Sequence, residues 1–382
     1  MMPGTWRIPF FDTRFDAEEE AAILRPLRAG WLTMGEEVIQ LEEELKQASG
    51  AKHAIAVTNC TAALHLASVA LGIGPGDEVL CPTLTFCATA NAPRSAGASV
   101  QFCESIGPDD LTIDPVSIRQ RLSPRTKAIF VVHYAGFPCQ IDKVLALAKE
   151  HAIPVVEDCA HALFTFHRDK VLGLFGKVGC FSFFSNKNAT CGEGGALMTD
   201  DDDLADRLRL LRSHGMTTLT LDRYKGRAFS YDVTEAGFNY RLDEIRAALM
   251  RAQLRKLPGF LVRRRELFSH YLRRLLDSPV TVPFAHGRFA EGLPQTGIHL
   301  MPILLPAGTE RLVIMEYLKQ RGIQTSIHYP LVHEFAAYRD VAQGLPRTEE
   351  LGRRQLSLPF YPGLEFDEVD FVVRTLLDGL TR

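Results

Sequence analysis

Lys187 stands where an apolar run, Cys180-Phe181-Ser182-Phe183-Phe184, gives way to Ser185-Asn186-Lys187-Asn188 and then to the glycine-rich Gly192-Glu193-Gly194-Gly195. A lysine at the end of a buried strand loses solvation, which disfavours its charged form and makes its amine a nucleophile toward an aldehyde. The neighbouring glycines let a ligand approach the backbone closely. Upstream, a second apolar run, Ile153-Pro154-Val155-Val156, ends in Glu157-Asp158. Pyridoxal phosphate requires such a pair, a lysine to hold the aldehyde and a carboxylate on the pyridine nitrogen that keeps the ring an electron sink.

Further candidates lie at other strand ends. Thr58-Asn59-Cys60-Thr61-Ala62-Ala63-Leu64 follows a strand-like run and opens a helix. Free amides and the positive end of the helix dipole suit that junction to a phosphate, with the Thr61 hydroxyl as a further donor. The plain alternative is an ordinary threonine N-cap. Ser182 sits two residues before Phe184, so alternation along a strand could aim its hydroxyl at the same phosphate; the rival is a core serine bonded to backbone. Phe86 follows Pro82-Thr83-Leu84-Thr85 and could stack on a ring face, although a core position is the commoner fate of phenylalanine. His161, just past Asp158, could bond a ring hydroxyl oxygen, brace Asp158 or serve as a structural histidine.

These residues need a frame that gathers strand ends. From Ala54 to about Asp200, short apolar runs alternate with helical stretches such as Thr61 to Leu71 and Ile141 to His151. The strand candidates are Ala54 to Thr58, Glu78 to Pro82, Val100 to Cys103, Ala128 to Tyr134, Pro154 to Asp158, Cys180 to Phe184 and Ala196 to Thr199. The alternation predicts an α/β domain with a mostly parallel sheet covered on both faces, and ligands of such sheets collect at the carboxyl ends of the strands. Asp243 to Leu257 and Phe260 to Leu276 read as two helices parted by Pro258-Gly259, with Arg263-Arg264-Arg265 as a solvated helix face. Beyond Pro279 come strands at His299 to Leu305, Gln324 to Tyr329 and Gln355 to Pro359, and helices at Glu310 to Arg321 and Asp367 to Leu380. The expected division is a large domain, 1–258, and a smaller C-terminal α+β domain, 259–382.

The chain has 382 residues, 46% hydrophobic and 23% charged, with a net charge of -3. That balance is ordinary for a globular protein and gives no electrostatic reason to expect nucleic acid or an anionic membrane as partner. No stretch is apolar for long enough to span a bilayer, and the first residues, Met1 to Trp6, lack the charged and apolar regions of a signal peptide. Eight cysteines lie mostly in apolar runs without a Cys-x-x-Cys, so they read as buried hydrophobes in a reducing cytoplasm rather than disulfides or metal ligands.

Taken in order, these motifs resemble the DegT/StrS group of sugar aminotransferases, pyridoxal-phosphate enzymes of fold type I. The likeness runs over nearly the whole chain, through Gly30-Trp31-Leu32-Thr33-Met34-Gly35, Cys60-Thr61-Ala62-Ala63-Leu64-His65-Leu66, Gly76-Asp77-Glu78-Val79 and Pro82 to Phe86. It continues in Glu157-Asp158-Cys159-Ala160-His161, Phe181-Ser182-Phe183 with Lys187-Asn188, Gly192 to Gly195, Gly237-Phe238-Asn239-Tyr240-Arg241 and Ile327-His328-Tyr329-Pro330. The resemblance implies that Lys187 is the Schiff-base lysine, Asp158 the partner of the pyridine nitrogen, Phe86 the stacking ring and His161 the residue near the ring oxygen. It implies Thr61, Ala62 and Ser182 as phosphate ligands. It also implies a homodimer with shared active sites, in which Asn239, or else Arg241, reaches the partner's phosphate and Trp31 lines the neighbour's pocket. Glu193, His328 and Tyr329 are candidates for substrate contact, each with a structural alternative. The reaction implied is transfer of an amino group from glutamate to a keto-sugar, most naturally nucleotide-linked, with no metal. The runners-up are a dehydrating or aromatising relative and a non-catalytic regulatory member of the same fold; Lys187 argues against the branch that carries histidine in its place.

Overall fold

The computed structural model describes residues 6–341 and 344–382. The reading of Met1 to Thr5 therefore lies outside the described residues. Seven strands form one sheet: β1 (His53–Val57), β2 (Glu78–Pro82), β3 (Ser99–Cys103), β4 (Thr126–Val132), β5 (Val155–Asp158), β6 (Val178–Ser182) and β7 (Gly195–Thr199). Their order is β1-β7-β6-β5-β4-β2-β3. The pairs from β6 across to β3 are parallel, while β7 runs antiparallel to both β1 and β6. The sheet is mostly parallel, as the near-continuous apolar runs imply for strands covered on both faces.

Alternation along the strands divides the core. Ile55 and Val57 of β1 pack with helices α3 (Cys60–Ala70), α4 (Ala88–Ser95) and α6 (Asp202–Arg212), whereas Ala54 and Ala56 face α2 (Glu36–Ser49) and α7 (Glu244–Leu275). On the β4 side, α5 (Ile141–Glu150) packs Val144 and Leu147 against Ile129 and Val131. α1 (Ala17–Ala29) starts with a capping box, Asp16 accepting at its side chain while Glu19 accepts from the Asp16 amide, and lies along α7. α2 has glycine at its N-cap and no capping side chain of its own. Glu244 fills that role from another helix, accepting from the amides of Gly35 at 2.8 Å, Glu37 at 2.9 Å and Val38 at 3.0 Å.

α7 corrects the expectation of two helices. It runs unbroken through Pro258. A proline inside a helix removes one hydrogen bond and costs about 3 kcal/mol. Met250, Leu257 and Leu261 pack against the large sheet, and Leu267, Phe268, Tyr271 and Leu275 pack in the C-terminal core. At roughly 1.5–3 kcal/mol for each large buried side chain, this packing outweighs the proline. The arginine run is likewise not a solvated face: Arg264 is 4% exposed and donates to the carbonyls of His299 and Phe360, each at 3.2 Å.

The C-terminal part holds a two-stranded antiparallel sheet, β8 (Met301–Leu304) with β9 (Gln355–Leu358), together with α8 (Arg311–Lys319) and α9 (Phe366–Leu380). Ile8 and Phe10 join this core, and Ile8 bridges to Ile323. The strand expected over 324–329 is extended chain without a ladder. Its link to β9 is one bridge, Ser326 to Ser357, and at His328 the amide turns instead to the Gln355 side chain at 3.0 Å. All eight cysteines are free, and all but the half-buried Cys87 are buried.

Candidate active site

The carboxyl ends of β1, β2, β5 and β6 open on a cavity of about 480 Å³. Its lining includes Thr61, Phe86, Asp158, His161, Ser182 and Lys187, six residues that the sequence assigned to a cofactor. Glu193, His328 and Tyr329 line it as well. Trp31, Ala62, Asn239 and Arg241 are not on its wall within one chain.

Strand alternation explains how the acid is presented. Successive residues point to opposite faces, so Glu157 and Asp158 part company at the end of β5. Glu157 is anchored by His133 Nε2 at 2.9 Å and by the amides of Gly173 and Gly176 at 2.8 and 2.6 Å. Asp158 instead accepts from Thr89 Oγ1 at 2.8 Å and from the Ala160 amide at 3.1 Å. Thr89 in turn lies 2.8 Å from the hydroxyl of Thr85. Each oxygen of Asp158 keeps a second lone pair. Burial pushes its pKa up, and the Thr89 and Ala160 bonds, with the Lys187 charge, act against that rise.

Lys187 follows a turn closed by its own amide on the Phe184 carbonyl at 2.9 Å. Burial lowers its amine to about 8, opposed by the charges of Cys60 and Asp158. The Cys60 thiol is itself pushed well up by burial, so it is neutral near pH 7 and offers the amine no real support there. About a tenth of Lys187 is then an unprotonated nucleophile at pH 7, far more than of a solvated lysine.

The α3 N-terminus is capped by Asn59, whose Oδ1 accepts from the Ala62 amide at 2.8 Å. The Thr61 hydroxyl is therefore released from capping and faces the cavity, while the Ala62 amide is engaged. Gly195 lets β7 pass close beneath this junction: a Cβ there would sit 2.6 Å from the Asn59 carbonyl carbon and 2.7 Å from the Cys60 amide nitrogen. Ser182 Oγ accepts from the Phe184 amide at 3.3 Å and borders the same space. Phe86 is 55% exposed, unlike a core phenylalanine, and its ring leans on Tyr329 with centroids 5.7 Å apart.

His161 does not brace Asp158. Its Nδ1 accepts from the Ala135 amide at 3.2 Å, and burial holds its pKa well below the usual range, with Lys187 and His328 adding to the effect. The neutral ring therefore carries its proton on Nε2, which lies 2.8 Å from Tyr329 Oη. Tyr329, kept protonated by burial beside Asp158, has its own O–H left to donate into the cavity. Thr85, Thr89 and Ala135 carried no sequence signal for these roles, Thr89 being the second residue of α4 with nothing in its neighbours to mark it; Asn59 is of a usual N-cap type, and it, not Thr61, takes that position.

These donors fit a phosphorylated, protonated heteroaromatic aldehyde: an amide-rich helix end, an exposed aromatic face, a buried carboxylate with spare lone pairs and a lysine of lowered pKa. The comparisons with known proteins agree. Residues 13–377 match the model of the DegT/DnrJ/EryC1/StrS aminotransferase family. The chain belongs to that family. This family member is 37% identical to the spore coat polysaccharide biosynthesis protein SpsC of Bacillus subtilis (strain 168), over 97% of this chain and 96% of that protein. It is 35% identical to S. venezuelae DesV, solved in complex with a ketimine intermediate, with a TM-score of 0.88 over 99% of this chain and 100% of that one. It is 25% identical to the putative sugar aminotransferase Spr1654 of Streptococcus pneumoniae in its PMP form, with a TM-score of 0.89 over 99% of both chains. The fold is fold type I, the cofactor is pyridoxal phosphate and the protein is an aminotransferase.

Proposed function

We propose that this aminotransferase moves an amino group from glutamate to a keto group of a nucleotide-linked sugar, within a cytoplasmic homodimer. The observation that carries the reading is Lys187, an amine lowered to about 8 on the wall of a cavity that also presents Asp158, in a family whose relatives are described as sugar enzymes. When bound, the cofactor supplies an electron sink. Asp158 would hold a negative charge against its ring nitrogen, Thr61 and Ser182 would offer hydroxyls to its phosphate at the positive end of α3, and Phe86 would cover one face. Ala62 joins the phosphate set only if its amide leaves Asn59. Lys187 takes a proton from the donor α-carbon and delivers one to the sugar carbon that gains nitrogen. Tyr329, held by His161, is placed to donate toward substrate, with Glu193 and His328 on the same wall.

Support for shared sites comes from polar groups left without partners in a single chain. Arg241 Nη1 and Trp31 Nε1 are buried and lack a hydrogen-bond partner among the described residues. Tyr224, Phe229 and Tyr231 expose large rings close in sequence to Asn239. A second chain placed over this face would cover those rings and receive Asn239 or Arg241 at its own phosphate. The reading keeps a large unit, 1–258, and a smaller one, 259–382, joined through the continuous helix α7. Incubating the protein with glutamate and a panel of nucleotide keto-sugars tests the reaction: amino-sugar and 2-oxoglutarate should appear in equal amounts, and sugar conversion without 2-oxoglutarate would contradict it.

A further inference from the structure

A second cavity, of about 350 Å³, shares Asn186 and Lys187 with the first and extends from them to the segment 11–14, to α7 and to 361–363. Its charged lining is one-sided. Arg14, Arg263, Arg264 and Lys187 face a single carboxylate, Asp12. Arg14 Nε donates to Asp12 at 2.9 Å from an otherwise exposed side chain. Arg263 donates to the Leu364 carbonyl at 2.8 Å and meets two partly exposed carboxylates, Glu266 on its own helix at 3.3 Å and Glu365 at 3.7 Å. Arg264 is the more telling group: it is buried, pairs with no carboxylate among the described residues, and its Nε has no hydrogen-bond partner there. A buried guanidinium satisfied only by carbonyls leaves an uncompensated positive field, and a cavity with that group in its wall and two further arginines beside it favours an anion. The forked donors of Arg14 and Arg263 suit the planar oxygens of a carboxylate.

We propose that this cavity seats the distal carboxylate of a dicarboxylic amino donor, with Arg14 and Arg263 as its direct partners and Arg264 as the buried charge behind them. The proposal rests on the reading of this chain as taking nitrogen from such a donor. A dicarboxylic amino acid needs its amine beside Lys187 and its far carboxylate a few bonds away, and this cavity has Lys187 at one end and guanidinium groups beyond it. The same anion chemistry could come from the diphosphate of a sugar nucleotide, so the test carries both.

The holoenzyme, whose cofactor phosphate site is filled, is titrated by calorimetry with glutarate, which has both carboxylates and no amine to react, and separately with inorganic pyrophosphate. Glutarate should bind the wild type, more weakly as salt is raised. Arg14→Gln and Arg263→Gln should each weaken glutarate by at least about tenfold, while Arg14→Lys and Arg263→Lys lose less. Circular dichroism on each variant shows that it is folded. Glutarate binding unchanged in both glutamine variants would overturn the proposal. Loss of pyrophosphate binding with glutarate retained would overturn it in favour of the diphosphate. Conversion of the visible cofactor spectrum by glutamate is recorded on the same wild-type sample. Arginine-dependent glutarate binding in a protein that no amino donor converts would sink the transfer reading while leaving the anion site in place.

Discussion

Nε2 of His161 lies 2.8 Å from Oη of Tyr329, and this bond ties the end of β5 to the segment that follows α8 in the C-terminal part of the chain. Tyr329→Phe removes the acceptor and leaves a buried imidazole N–H unpaired. The expected cost is about 1–3 kcal/mol of stability, read by urea unfolding. Loss of the phenol donor should also lower kcat by about a hundredfold or more, in line with the loss of one positioned proton donor. Unchanged stability and rate would mean that the bond does neither job.

Thr89 holds Asp158 in its charged form. Thr89→Val keeps the shape and removes the donor, so the Asp158 pKa, already raised by burial, should rise further. A carboxylate is needed in catalysis, so the acid limb of the kcat profile should move to higher pH, and Thr89→Ser should move it back. A merely structural threonine would leave that limb where it stands.

The amine of Lys187, lowered by burial to about 8, gives two pH effects of known sign. Only the neutral amine attacks an aldehyde, so the rate at which cofactor-free protein takes up pyridoxal phosphate, followed by absorbance, should climb with pH and level off above about 8. A rate still climbing toward 10.5 would show an ordinary solvated lysine. Because the folded value lies below the unfolded one, burial of the charged amine destabilises the cofactor-free fold at low pH. This penalty should fade as pH rises from about 8 toward 10.5, seen in the contribution of Lys187 when wild type is compared with Lys187→Met by denaturant unfolding.

Glu244 caps a helix to which it does not belong. Glu244→Ala leaves the amides of Gly35, Glu37 and Val38 without their acceptor. Stability should fall by about 2 kcal/mol or more, at the upper end for the loss of a helix cap, since three donors are involved. Glu244→Gln keeps an acceptor oxygen and should lose less. Equal midpoints in urea for all three proteins would contradict this account of the α2 start.

Lys187 and Asp158 were legible because a polar residue ending an apolar run marks a strand terminus, and strand termini share one edge of a parallel sheet. Ser182 and His161 reach the cavity wall by the same rule, and Phe86 does so because it follows closely on the end of β2. Arg264 was misread because a triplet of arginines looks like a wet surface until two cores are seen to close over α7. Pro258 misled because a local rule met long-range packing that outweighed it. The strand expected at 324–329 had the right composition, but its single bridge to β9 cannot be inferred from one segment alone. Thr89 was invisible because its importance comes wholly from standing beside Asp158.

The most direct measurement is borohydride reduction of the purified holoenzyme followed by peptide mass mapping. The phosphopyridoxyl mass should appear on the peptide that contains Lys187, and Lys187→Ala should carry no such label and lose the visible absorbance. Label on a different lysine, or an unmodified Lys187 in a coloured protein, would contradict the account.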